Sequence, residues 1–252
     1  MVPAYLPQQV LYVNEIFFSI QGEGNLVGVP MVFVRLQGCN LRPGCRWCDT
    51  TYAQSRVKGG LYLSTRQILD SIYSLVGVPT TSRPDSWVCI TGGEPLRQQE
   101  GLKQLVIELI GRGYKVEVET NGTLSLPDWS SLVTSWVVDI KCPSSGIRVP
   151  EVRLKKLLSS LRKEDQVKFV VADKNDRDFV ESWLVSRSGK LRDYLPTILV
   201  SPVIQTVDMS YHNSFSSLVL TDFNEVVEFC KRLQVKFSLQ VHKVIWGAKK
   251  GV

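Results

Sequence analysis

Histidine is scarce in this sequence: His212 and His242 are the two in 252 residues. Long apolar runs are missing too. No stretch approaches the ~18 consecutive apolar residues of a membrane span, which excludes a transmembrane helix from the reading. The first twenty residues have no basic n-region, and Gln8, Gln9, Asn14 and Glu15 interrupt what would be an apolar core. No signal peptide is therefore expected, and the expected compartment is the cytoplasm. In reducing surroundings the six cysteines read as metal, redox or core residues rather than a disulfide frame. Internal repeats, low-complexity tracts and linkers are absent from the pattern. Residues 77–86 and 144–150 read as surface loops, and residues 1–252 as one domain. The net charge of +6 suits an anionic substrate or partner, yet the basic residues are scattered. No dedicated nucleic-acid face is expected.

What is present is a core-forming α/β pattern. Hydrophobic residues make up 44% and charged residues 21% of the chain, as in a globular domain with a large core. Strands are predicted over 31–38, 86–93, 114–120, 135–141, 166–173, 196–202 and 236–246. Helices are predicted over 64–77, 100–113, 150–163, 176–187 and 222–234, the first with Ile68, Ile72 and Leu75 on one face. Such alternation implies a parallel sheet with right-handed crossovers. Ligands collect at the carboxyl ends of strands in such sheets, and Glu94, Glu119, Asp139 and Lys141 stand at those ends.

Three cysteines crowd one short stretch. "GCNLRPGCRWCDT" places Cys39, Cys45 and Cys48 with spacing C-x5-C-x2-C. A structural zinc site wants four ligands, and the two histidines are remote in sequence. Cys89, Cys142 and Cys230 read as core or rim thiols, with a zinc knuckle completed by a remote residue as the alternative. An iron–sulfur cluster with one iron left open is the other reading of three thiolates on a loop. Gly38, Pro43 and Gly44 suit a loop around a bulky group, and Trp47 would shield one side. A second word, "ITGGEPL" at 90–96, follows the next strand, where glycines admit close backbone approach and Glu94 can pair with an ammonium group.

These two words resemble the radical S-adenosylmethionine (SAM) enzymes, although the x5 gap departs from the superfamily's usual x3. With "EIFFSIQGEGNLVGVPMVFVRLQGCNL", "WCDTTYA", "ETNGT", "DIKCPSSG" and "LQVHKVIWG", the chain is similar to the 7-carboxy-7-deazaguanine synthases over about residues 10 to 247. The resemblance implies a partial, modified (β/α) barrel of the radical SAM type and a homodimer. It implies conversion of 6-carboxy-5,6,7,8-tetrahydropterin to 7-carboxy-7-deazaguanine with loss of ammonia, on the route to queuosine and other deazapurines. A 4Fe-4S cluster, SAM and magnesium are implied cofactors, and a flavodoxin or ferredoxin is the implied reductant.

Residue by residue, the resemblance assigns Cys39, Cys45 and Cys48 to the cluster and Thr50 to magnesium. Gly92, Gly93, Glu94, Glu119, Thr120, Asn121 and Ser201 are expected to approach SAM. Gln21, Glu23, Arg35, Lys141 and His242 are expected to hold the pterin. Arg35 can pair bidentately with its carboxylate. Lys141 could equally serve only as the partner of Asp139, and His242 as a satisfied core residue. The implied chemistry cleaves SAM with one electron, takes hydrogen from carbon 6 of the substrate, contracts the ring and regenerates SAM. Two further readings compete: another small radical SAM enzyme such as a glycyl-radical activase, and a non-enzymatic zinc or RNA-binding module. The tail at 248–252 runs beyond the tryptophan near which chains of this family often end.

Overall fold

The computed structural model describes residues 9–79, 86–186, 196–206, 217–219, 222–247 and 249–252. His212 and the middle of the predicted 77–86 loop lie outside the described residues. The chain opens with strands β1 (Val10–Ile20), β2 (Pro30–Leu36) and β3 (Leu61–Ser64), then helix α1 (Thr65–Val76). It continues through β4 (Trp87–Gly92), α2 (Gln99–Gly111), β5 (Lys115–Thr120), β6 (Ser135–Ile140), α3 (Glu151–Leu158), β7 (Gln166–Val171), α4 (Lys174–Val185) and β8 (Thr197–Pro202). Next come the short strands β9 (Ile204–Thr206) and β10 (Ser217–Val219), then α5 (Phe223–Leu233), β11 (Lys236–Phe237) and α6 (Val241–Trp246).

Nine strands form one sheet in the order β11-β8-β7-β6-β5-β4-β2-β1-β3. Every neighbouring pair from β2 to β11 is parallel, while β1 pairs antiparallel with β2 and with β3. The two edges, β11 and β3, do not pair, so the sheet is an open, incomplete barrel. β9 and β10 pair apart from it.

Side chains alternate across each strand, and the two faces of the sheet differ in kind. Val32, Val34, Val88, Ile90, Val116, Val118, Trp136, Val138, Val167 and Phe169 belong to the large buried cluster, with Ile68, Ile72, Leu102 and Val180 from the helices. Arg35, Thr91, Glu119, Asp139 and Lys168 occupy the alternate positions and face a cavity instead. Burying a side chain the size of Val or Leu contributes about 1.5–3 kcal/mol. The apolar face thus stabilises a sheet whose other face is polar.

Most predicted elements form, with shifts that have local causes. Ser64 caps α1 through a capping box: Gln67 N donates to Ser64 Oγ, and Ser64 N donates to Gln67 Oε1. Leu75 does not join Ile68 and Ile72 in the core but is 43% exposed, because the last turn leans on Tyr73 and Val76 instead. α3 ends at Leu158 rather than running to 163. There the Ser160 hydroxyl donates to the Leu157 carbonyl, and Asp165 draws the Arg162 guanidinium away. The largest correction is at 236–246. Residues 236–237 alone pair as a strand, and 241–246 form helix α6.

Candidate active site

The cysteine loop follows β2 directly, and the backbone ties it to the sheet. Gly38 N donates to Ala53 O at 2.7 Å, Cys39 N to Gln54 O at 3.1 Å, and Glu94 N to Gly38 O at 3.1 Å. The glycines of "TGGEP" answer this crowding. Gly92 has φ +141°, and a Cβ there would lie 2.1 Å from Leu36 O. A Cβ on Gly93 would lie 2.5 Å from the Gly38 carbonyl carbon. Their first demand is therefore close approach between the ends of β2 and β4.

One cavity at the carboxyl ends of the strands takes in most of the predicted residues. Cys39, Cys45, Cys48, Thr50, Gly92, Gly93, Glu119, Thr120, Asn121, Gln21, Glu23, Arg35, Lys141 and His242 all line it. Phe17, Ile20, Phe33, Leu41, Trp47, Val137, Val170 and Val203 supply apolar wall between the polar groups. Two predicted residues do not line it. Ser201 is fully buried with no hydrogen-bond partner for its hydroxyl. Glu94 is fully buried too, and its carboxylate accepts from Leu96 N at 2.9 Å, Thr120 Oγ1 at 2.9 Å and Asn121 N at 2.8 Å. That carboxylate fixes the Thr120–Asn121 turn from behind. Burial still raises the Glu94 carboxyl, against the pull of these bonds.

The three loop cysteines are free thiols facing this space. Ligands of one zinc ion lie within about 2.3 Å of it, so their sulfurs converge to roughly 4 Å. Among the described residues, the group of thiol, imidazole or carboxylate atoms that converges within 4.8 Å is Cys89, Glu117 and Glu119, not the three loop cysteines. Their wider spread disfavours a single ion and fits a larger cluster. At the Cys89–Glu117–Glu119 point an amide already sits. Gln21 Nε2 donates to Glu117 Oε1 at 2.5 Å and Glu119 Oε1 at 3.1 Å, and lies 4.0 Å from Cys89 Sγ.

Paired charges build the rest of the wall. Lys168 Nζ lies 2.8 Å from Glu23 Oε2, and Gln240 Nε2 donates to Glu23 Oε1 at 2.7 Å. Burial raises the Glu23 carboxyl, but the Lys168 ammonium and His242 overcome it and hold it at about 2. Lys141 Nζ lies 2.6 Å from Asp139 Oδ2 and 5.4 Å from the centre of the Trp47 ring. Arg35 Nε pairs with Glu15 at 2.6 Å, and its guanidinium lies near the Phe17 and Tyr52 rings. Lys243 Nζ reaches Asp49 Oδ2 at 2.7 Å. Burial lowers His242 below its usual value, which keeps the ring neutral at pH 7. Burial, and then the charge of Glu119, pushes Glu117 up to about 8.

Asp49, Lys168, Gln240 and Lys243 are site residues that the sequence reading assigns no role. Lys168 interrupts a buried strand in the sequence, but only the register of the sheet, which pairs its Cα with that of Asp139, gives it a place in the site. Cys142 is buried, and its Sγ lies 3.9 Å from Ile140 O, so it stays a core thiol.

No family model matches the chain. It is 35% identical over 245 residues to the 7-carboxy-7-deazaguanine synthase of Koribacter versatilis, covering 96% of this chain and 100% of the relative. The chain belongs to the 7-carboxy-7-deazaguanine synthase family. The synthase of Methanospirillum hungatei is 35% identical over 233 residues, covering 92% of this chain and 84% of its own length. That of Thermoplasma acidophilum is 32% identical over 243 residues, covering 96% and 100%. The fold resembles the crystal structure of QueE from Escherichia coli, with a TM-score of 0.63 over 92% of this chain and 95% of that one, at 23% identity. The family is one of radical SAM enzymes. Among the described residues, no helix is long and apolar enough to cross a membrane.

Proposed function

We propose that this chain converts 6-carboxy-5,6,7,8-tetrahydropterin to 7-carboxy-7-deazaguanine with loss of ammonia; its relatives' name gives the product, and the sequence resemblance implies the substrate. The observation that carries the reading is one cavity lined both by three spread thiols and by Gln21, Glu23, Arg35, Lys141 and His242. Cys39, Cys45 and Cys48 would hold a 4Fe-4S cluster and leave one iron free for SAM. When bound, this pair supplies the one-electron cleavage that starts the radical chemistry.

The chain's own groups bind, orient and exclude water. Glu94 holds Thr120 and Asn121 toward the SAM side. Arg35, fixed by Glu15, and Lys141, fixed by Asp139, present cations to the substrate carboxylate. Glu23 stays ionised at neutral pH and can accept from the N–H groups of the pterin. Neutral His242 can donate at one nitrogen and accept at the other. The Thr50 hydroxyl, 3.7 Å from Cys48 Sγ, offers a hard oxygen for magnesium beside the substrate. Phe17, Phe33, Val137 and Val170 keep water from the reacting ring. The Gln21 amide has no free hydrogen-bonding edge, so its part is to set the floor on which the ring lies. A homodimer in the cytoplasm, with a flavodoxin or ferredoxin as reductant, completes the proposal.

The test is anaerobic reconstitution with iron and sulfide, then incubation with SAM, dithionite, magnesium and the tetrahydropterin. Mass spectrometry should show the ring-contracted acid, and Cys45→Ala should abolish it. SAM cleavage with the pterin untouched would retire the substrate assignment and leave the glycyl-radical activase type of reading.

A further inference from the structure

Five arginines surround the cysteine loop, and the function proposed above uses none of them. Arg42 lies between Cys39 and Cys45, and Arg46 between Cys45 and Cys48. Arg56 donates through Nε to Cys39 O at 3.0 Å and through Nη2 to Asn40 O at 3.2 Å. Arg97 comes from the turn after β4 and lays its guanidinium over Gly38, where an added Cβ would lie 2.5 Å from Nη1. Arg153, on α3, donates to Thr123 O at 2.9 Å, and the Thr123 hydroxyl accepts from Asn40 Nδ2 at 2.8 Å. All five side chains are exposed.

These cations are not neutralised locally. Among the described residues, none of the five forms an ion pair, whereas Arg35, Arg162, Arg177 and Arg232 each have a carboxylate. No acidic residue occurs from 38 to 48. Burial, and then the like charge of Arg56 and Arg42, lowers Arg97 below its usual value. Uncompensated like charge at one surface site costs stability and raises the local concentration of anionic partners.

We propose that this arginine ring is the docking surface for a small acidic one-electron carrier protein, which delivers its electron through the outer side of the cysteine loop. The proposal rests on the cluster assignment above. Charge complementarity selects the occupant, since an acidic face would meet the five guanidiniums and bring its redox group against the loop that carries the thiolates. In the step, one electron leaves the reduced carrier, which becomes oxidised by one unit, and the cluster is reduced by one. No atom is transferred.

The experiment uses the cluster-loaded protein and a flavodoxin as probe. Binding of oxidised flavodoxin is followed by its flavin fluorescence across a range of salt concentrations. The double variant Arg42→Glu/Arg46→Glu is compared with wild type, because among the described residues neither side chain holds the loop by a hydrogen bond. Iron and sulfide content and dithionite-driven SAM cleavage are measured on both. The expected result is flavodoxin binding at least ~10-fold weaker in the variant, with a flattened salt dependence, and unchanged iron content and dithionite-driven cleavage. Equal flavodoxin affinity and equal salt slope in the two proteins would overturn the docking surface while leaving the proposed function standing. Wild-type protein that cleaves no SAM with dithionite would remove the cluster function itself, and the docking surface with it.

Discussion

The side-chain amide of Gln21 donates to the Glu117 carboxyl at 2.5 Å, inside the barrel and away from solvent. Gln21 Oε1 accepts from the backbone N–H groups of Gly22 and Glu23, so the amide cannot turn over without losing those bonds. Glu117 thus reaches the cavity through Gln21. Its carboxyl, raised to about 8, keeps its proton when an unfolded glutamate would lose it near 4.5.

Stability should therefore fall as pH rises between about 4.5 and 8, because there the folded chain binds the proton and the unfolded chain does not. Glu117→Gln removes this contribution. We expect the variant to lose most of that slope and to gain roughly 2–4 kcal/mol relative to wild type at pH 8. Urea unfolding at pH 5 and pH 8 measures it, and identical slopes in the two proteins would refute the assignment.

Lys168→Met should expose the opposite dependence. It strands the Glu23 carboxylate, which is 13% exposed and loses its ammonium at 2.8 Å. The expected loss is about 3 kcal/mol at pH 7, partly restored by adding Glu23→Gln. In wild type the stability that this pair contributes is present above about pH 4.5 and disappears as pH falls toward 2, where Glu23 protonates. Thermal denaturation of the single and double variants decides it; a double variant no better than the single would count against the pair.

Glu94→Gln keeps the size of the side chain but replaces one acceptor oxygen with a donor. Either Asn121 N, or the Thr120 hydroxyl and Leu96 N, would then face an N–H group. We expect a cost of about 2 kcal/mol and weaker SAM binding with iron content unchanged. Equilibrium dialysis with SAM beside an iron assay separates this from a lost cluster. Normal SAM affinity would show that the Thr120–Asn121 turn does not need its anchor.

Gly93→Ala puts a methyl group 2.5 Å from the Gly38 backbone and 2.6 Å from Ala53 O, where no flexible side chain can give way. A loss of 2 kcal/mol or more is expected. Gly111→Ala is the control: nothing lies within 4 Å of its Cβ, and helical alanine should be neutral or stabilising by up to about 1 kcal/mol. Urea midpoints that rank the two variants the other way would overturn the crowding argument.

The alternation of strands and helices was legible because each strand's core face is a row of Val, Ile, Phe or Trp. The cavity residues were legible where a recognisable word ends a strand. Residues 236–246 misled. Phe237, Leu239 and Val241 alternate with Ser238, Gln240 and His242, which reads as a strand, yet tertiary bonds select a helix. Val241 N donates to Gly22 O at 2.9 Å, and Lys243 Nζ donates to Ile204 O and Gln240 Oε1. A Cβ on Gly22 would meet His242 Nδ1 at 2.1 Å, so the helix seats only against glycine. Gly22 and Ile204 both lie far from the helix in sequence. β1 and β3 received no strand assignment, and Lys168 and Glu117 were passed over as ordinary strand residues. Their meaning comes from the neighbours that strand register gives them, which local pattern does not encode.

Helix α6 carries a consequence for the order in which the molecule is made. Gln240 at its N-terminus, with His242 and Lys243 in the helix, closes one wall of a cavity whose cysteine loop emerges from the ribosome far earlier. Until α6 is synthesised, the Glu23 loop lacks Gln240 and Asp49 lacks Lys243. A nascent chain therefore presents its three thiols through a gap that the finished chain has walled. On the proposed function, iron and sulfide would meet their widest entrance before translation ends, and seating of α6 would then narrow the way out.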